Sequence, residues 1–165
     1  VELRVLAPPD MEPCLDLFEA VAAEGLWLAT EPPVDRREVR ARWNALLLTG
    51  EGTLLCAVDG GAHVGLSALV GRSAPELGML VARGRRGQGV GGALLEASVA
   101  WAADHGARHV VLHVFPHNTA AIALYSRHGF EDRGLVRRAY PRRNGERWDA
   151  IRMVRRVGGE LRAGG

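Results

Sequence analysis

The spacing of apolar residues changes several times along the chain, and each change marks an element. From Val1 to Ala7, Leu3 and Val5 alternate with Glu2 and Arg4, the two-residue period of a strand. Pro8-Pro9-Asp10 breaks that run, and Leu15, Phe18, Val21 and Ala22 then recur at helical spacing. A helix is therefore predicted over Met11 to Glu24, capped by Asp10 and stopped by Gly25. Asp35 is positioned to cap a second helix, Arg36 to Leu48, with Val39, Trp43, Leu46 and Leu47 on one face. Its arginines, Arg36, Arg37, Arg40 and Arg42, are expected on a solvated face. Two strands, Thr53 to Val58 and His63 to Gly71, flank the turn signal Asp59-Gly60-Gly61.

Glu76 to Val81 is almost continuously apolar, as in a strand covered on both faces. Val90 to His105 follows as a helix whose core face holds Val90, Leu94, Leu95, Ser98, Val99 and Ala102. His109 to Phe115 is the next strand. Asn118 then caps a short helix, Thr119 to His128, and Gly129 ends it. Two last strands, Phe130 to Tyr140 and Arg147 to Val157, surround the hairpin signal Arg143-Asn144-Gly145-Glu146.

The order strand, glycine loop, helix, strand implies a right-handed crossover between parallel neighbours. With the remaining strands it predicts an α/β (mixed α+β) domain, a mixed sheet of about seven strands with helices on both faces. No linker or repeat interrupts the chain. Residues 1–157 read as one domain, and the glycine-rich stretch 158–165 is expected to fray.

Composition narrows the class. The chain has 165 residues, 47% of them hydrophobic, which is ample for one core. No apolar run approaches the ~20 residues of a bilayer span, and Val1-Glu2-Leu3-Arg4 lacks the apolar segment of a signal peptide. A cytoplasmic protein with no membrane partner is expected. A net charge of +2 is too small to announce nucleic-acid binding. Cys14 and Cys56 are the only cysteines, expected as buried thiols rather than a disulfide. No histidine–carboxylate–cysteine cluster at metal spacing is visible along the chain, so no metal is expected. His63, beside a turn, is expected at the surface.

The candidate chemistry centres on Arg85-Arg86-Gly87-Gln88-Gly89-Val90-Gly91-Gly92, between a strand and a helix. Glycines let the backbone approach a ligand closely. The first N–H groups of the helix lack partners and lie at its positive end. Two arginines add full charges. The combination is a socket for a phosphate or pyrophosphate. A dinucleotide is a weak match, because five residues separate strand from glycines and no carboxylate closes the next strand. The nucleoside-triphosphate loop is excluded, since the chain contains no lysine.

Arg86-x-x-Gly89-x-Gly91 continued by Ala93-Leu94-Leu95 resembles the acyl-CoA pyrophosphate loop of the GCN5-related N-acetyltransferases. Asn118-Thr119-Ala120-Ala121-Ile122-Ala123-Leu124-Tyr125, continuing to Gly129-Phe130, is similar to that family's second signature. The resemblance is strongest to the subgroup that acetylates the N-terminal alanine of a ribosomal protein, and weakest before about Leu54. It implies the family's three-layer fold and acetyl-CoA as acetyl donor, without a metal. It places pyrophosphate on Arg86, Gly87, Gln88, Gly89, Val90, Gly91 and Gly92. It runs the pantetheine arm along the backbone of Met79, Leu80 and Val81, with Asn118 as a further contact.

The implied reaction is direct transfer to a primary amine, on a protein N-terminus or a small molecule. Tyr125 falls on the family tyrosine that protonates the leaving thiolate. The subgroup's glutamate base is replaced by His113, and Glu76 is the competing base. Histidine as a residue type changes charge in the neutral range, which suits the role. Homodimers are common among such folds, and the residues do not decide the point.

The loop Leu26 to Pro33 falls where the family shapes its acceptor pocket. Trp27 there is expected to pack on the core and Glu31 to be solvated. The arginines of the last hairpin, Arg133 to Arg147, read first as charges guarding a sheet edge. Two rivals remain: a nicotinamide dehydrogenase and a non-catalytic acyl-CoA-binding module.

Overall fold

The computed structural model describes residues 1–158 of the chain; 159–165, most of the expected tail, lie outside the described residues. Seven strands form one sheet: β1 (Glu2–Val5), β2 (Gly52–Asp59), β3 (Ala62–Val70), β4 (Glu76–Val81), β5 (His109–Val114), β6 (Glu131–Pro141) and β7 (Arg147–Arg156). Their order is β1-β2-β3-β4-β5-β7-β6. All neighbours are antiparallel except β4 and β5. Four helices cover the sheet: α1 (Met11–Ala22), α2 (Arg36–Thr49), α3 (Val90–Asp104) and α4 (Thr119–Arg127). Predicted boundaries agree with these to within a few residues.

Each face has its own core. Leu15, Val21, Val39 and Trp43 of α1 and α2 pack on Leu54, Cys56 and Leu66. On the opposite face Leu95, Val99 and Tyr125 of α3 and α4 pack on Leu69, Val110, Leu112 and Met153. The alternation of β5 explains the division. Val110, Leu112 and Val114 point towards α3 and α4, so Val111 and His113 point to the other side.

The arginines of α2 are not merely solvated. Arg36 reaches Asp16 at 2.6 Å, Glu12 at 2.7 Å and Glu19 at 3.2 Å, and Arg40 also pairs with Glu12. Together they tie α2 to the acidic face of α1. Asp35 caps α2 as predicted, accepting from the Glu38 N–H at 3.1 Å.

Asp10 does not cap α1. Pro8 to Asp10 form a short 3-10 turn that carries the carboxylate inward, where it is 2% exposed. It accepts from the Ala7 N–H at 2.9 Å and from Arg4 at 2.8 Å, and it meets His63 Nε2 at 2.7 Å. The Arg4 guanidinium holds the Asp10 carboxyl well below the usual carboxylate range. His63 is consequently not a surface histidine: its side chain is 11% exposed. Cys14 and Cys56 are buried free thiols, as expected. Contact with the Cys56 thiol, then burial, pushes the Cys14 thiol upward.

Candidate active site

The glycine loop divides its glycines between two tasks. Gly87 and Gly89 have φ of 72° and 86°, a left-handed conformation costly for other residues. Gly89 is the N-cap of α3, and no side chain caps that end. The N–H groups of Val90, Gly91 and Gly92 therefore have no acceptor within the helix. Gly91 and Gly92 serve packing as well. A Cβ on Gly91 would stand 3.1 Å from Leu124, and one on Gly92 would stand 3.2 Å from His128. These two positions let α3 lie close against α4.

Arg86 does not extend into the socket. Its two terminal nitrogens close on the Glu24 carboxylate at 2.8 and 2.7 Å, and its Nε donates to Val81 O at 3.1 Å. The guanidinium of Arg86 holds the Glu24 carboxyl below its ordinary range. Arg85 is likewise engaged, with Gln88 and Asp59. The socket thus offers mainly main-chain N–H groups. Glu24 was not singled out in the sequence, since 62 residues separate it from Arg86 and no local pattern links them.

β4 and β5 pair at Glu76–Val111, and no further register pair joins them among the described residues. Beyond that pair they diverge towards the glycine loop. The Ala82 N–H bonds Val64 O at 2.9 Å across β3. By strand alternation Leu80 also turns its main chain towards β3, whereas Met79 and Val81 turn theirs towards the gap. Of the three residues expected to line a ligand with backbone groups, Leu80 is committed to the sheet. Met79 and Val81 are available, although Val81 O already accepts from Arg86.

His113 and Glu76 meet. His113 Nδ1 lies 2.8 Å from Glu76 Oε1, joining β5 to β4 on the face away from α3 and α4. Their side chains are 23% and 56% exposed, so the pair borders solvent. Gly78, next along that face of β4, has nothing within 4 Å of where its Cβ would be. Tyr125 comes from the other side. It is buried on α4 beside Phe130, ring centroids 5.9 Å apart, and burial pushes its hydroxyl up to about 12. It stays protonated throughout the neutral range. Asn118 caps α4, accepting from the Ala121 N–H at 3.3 Å.

Aromatic rings continue the His113 face. Phe115 meets Tyr140 at 5.3 Å and Trp148 at 5.0 Å, and His117 stacks beside Phe115 at 5.5 Å. Trp27 lies 5.9 Å from His117 and packs partly on the α1–α2 core, as expected. Arg142, one of the hairpin arginines expected to guard a sheet edge, is instead drawn inward. It is buried, with its guanidinium 3.9 Å from the Trp148 ring centroid. It donates to Leu28 O at 3.0 Å and to Ala29 O at 3.4 Å. Its Nε stands 3.4 Å from Glu31 without hydrogen-bond alignment.

Glu31 accepts the Arg143 N–H at 2.7 Å, so it is clamped rather than solvated. The last hairpin is therefore fastened to the 26–33 loop, and beneath that junction a groove of about 450 Å³ is lined by Thr30, Glu31, Val39, Arg42, Arg142 and Arg143.

No helix among the described residues is long and apolar enough to cross a membrane. Many solved structures share the fold, and three serve as examples. A ribosomal-protein-alanine N-acetyltransferase from Brucella melitensis is 22% identical, with a TM-score of 0.87 over 95% of this chain and 100% of that one. A phosphinothricin acetyltransferase from Sinorhizobium meliloti, solved with AcCoA, is 24% identical, with a TM-score of 0.84 over 99% and 91%. A GCN5-related N-acetyltransferase from Kribbella flavida is 25% identical, with a TM-score of 0.82 over 94% and 97%. Residues 17–130, more than half of the chain and both signatures, match the acetyltransferase (GNAT) family, and the chain belongs to it.

Proposed function

We propose that this chain transfers an acetyl group from acetyl-CoA directly to a primary amine, with His113 as base, Glu76 as its orienting partner and Tyr125 as acid. The observation that carries this reading is the His113–Glu76 contact of 2.8 Å beside the gap between β4 and β5. It unites two residues that sequence reasoning set against each other.

The socket fits the donor. Unpartnered N–H groups at the start of α3 suit a pyrophosphate, and Met79 and Val81 offer main-chain groups to an amide-bearing arm. The acceptor ammonium gives a proton to His113, and the free amine attacks the thioester carbonyl. The Val81 N–H donates to the carbonyl oxygen as negative charge develops there. The carbon–sulfur bond breaks, Tyr125 gives its proton to the sulfur, and the second proton leaving the new amide nitrogen restores the phenol. Glu76 accepts from His113 Nδ1 and keeps the Nε2 lone pair directed outward.

The half-buried Tyr140 ring, at the edge of this aromatic cluster, suits an approaching ammonium. A protein N-terminus and a small amine both meet these requirements, and the structural relatives bear names of both kinds. The test is a thiol-release assay with acetyl-CoA and a panel of N-terminal peptides, amino acids and small amines. Amine-dependent release of CoA is expected. Tight acetyl-CoA binding without release for any amine would identify a binding module instead.

A further inference from the structure

Three side chains that the sequence keeps far apart meet on the α1–α2 side of the sheet. Cys14 of α1, Cys56 of β2 and His63 of β3 place their sulfurs and a ring nitrogen within 4.8 Å of one another. This reverses the expectation that no such cluster exists. From this convergence we infer that the chain binds one thiophilic divalent cation, Zn²⁺ being the natural choice, through Cys14 Sγ, Cys56 Sγ and His63.

The donor set is that of a zinc site. Zinc takes thiolate at about 2.3 Å and imidazole at about 2.0–2.1 Å in tetrahedral geometry, so neighbouring donors sit roughly 3.5–3.8 Å apart. The cluster reaches that spacing by contracting about 1 Å. Soft thiolates with imidazole select zinc over magnesium or calcium.

The surroundings complete the site. With His63 ligating through Nδ1, Asp10, 2.7 Å from Nε2, becomes the carboxylate partner that ligating histidines commonly have. Arg4 lies 2.8 Å from the same Asp10 oxygen. Binding releases both thiol protons to solvent. The two thiolates then neutralise the cation while Arg4 neutralises Asp10, so the buried site closes without net charge. Cys14, Cys56 and Asp10 are at most 2% exposed, so the fourth tetrahedral position falls to one water entering past His63. His63, with an 11% exposed side chain, is the route of entry. The cation would staple α1 and the 3-10 turn to the β2–β3 hairpin.

The test uses chelator-treated, reduced full-length protein. One equivalent of Co²⁺ is expected to give thiolate charge-transfer bands in the near ultraviolet and intense tetrahedral visible bands. Zn²⁺ should bleach both at one ion per chain and raise the thermal midpoint. Cys56→Ser and the double variant Cys14→Ala/Cys56→Ala should lose the bands. Asp10→Asn should weaken zinc binding about 10–100-fold. Circular dichroism identifies any variant that fails to fold, and the wild-type titration decides the matter without variants. Absence of stoichiometric Co²⁺ or Zn²⁺ uptake by folded wild-type protein overturns the inference. So does uptake that survives the double cysteine replacement, or native protein isolated with a Cys14–Cys56 disulfide.

Discussion

The imidazole of His113 and the carboxylate of Glu76 lie 2.8 Å apart across the only parallel strand pair among the described residues. In the proposed reaction the roles divide: the carboxylate fixes the ring, and the ring's other nitrogen serves the acceptor. Replacing His113 with Gln should lower kcat on the order of 10²-fold. Glu76→Gln should cause a smaller loss, because the imidazole itself remains. A folded His113→Gln enzyme with wild-type turnover would remove histidine from the chemistry.

Tyr125 offers two independent readouts. As the acid, its loss in Tyr125→Phe should lower kcat on the order of 10²-fold and leave acetyl-CoA affinity unchanged by calorimetry. The second readout is stability at high pH. Burial raises the folded-state value to about 12, against about 10 in an unfolded chain. The folded state therefore resists ionisation. The associated stability is fully present below pH ~10 and is lost as pH rises towards 12, a difference of about 2–3 kcal/mol. Tyr125→Phe should flatten that alkaline decline in urea unfolding followed between neutral pH and pH ~11.5. An unchanged decline would place its origin in another group.

Gly89 caps α3 at a φ of 86°, and nothing within 4 Å would block a Cβ there. Gly89→Ala should consequently cost only about 1–2 kcal/mol of stability, through backbone strain. Gly89→Asp should also abolish acetyl-CoA binding, because a carboxylate would face the pyrophosphate at the helix N-terminus. Calorimetry on the folded Gly89→Asp protein decides; retained affinity would move the phosphate site elsewhere.

Arg142 joins the 26–33 loop to the last hairpin by stacking on Trp148 and donating to Leu28 O. Arg142→Ala should destabilise the protein on the order of 3 kcal/mol, since it leaves Glu31 and buried carbonyls without their cation. In variants that stay folded, the acceptor KM should rise with acetyl-CoA affinity intact. Arg142→Lys should restore little, because an ammonium cannot reproduce the planar stacked fork. Full rescue by lysine would reduce the interaction to simple charge.

The elements were legible because their causes are local. Periods of two and 3.6, the Asp35 and Asn118 caps, and the glycines ending helices all act within a few residues. The two signature blocks pointed to the family for the same reason, and residues 17–130 match it. What tertiary structure decided were contacts between elements distant in the chain. Sequence could not join His113 to Glu76, because that depends on which strands pair and where they part. It could not show that Glu24 takes the Arg86 guanidinium, or that Arg142 is buried rather than guarding an edge. Asp10 has the chemistry of a cap, yet the Pro8-Pro9 turn carries it inward to Arg4 and His63. Cys14, Cys56 and His63 read separately as two core thiols and a surface ring. Only the packing of α1 on β2 and β3 makes them one cluster, because ligand spacing is a distance in space and the chain encodes it only through the fold.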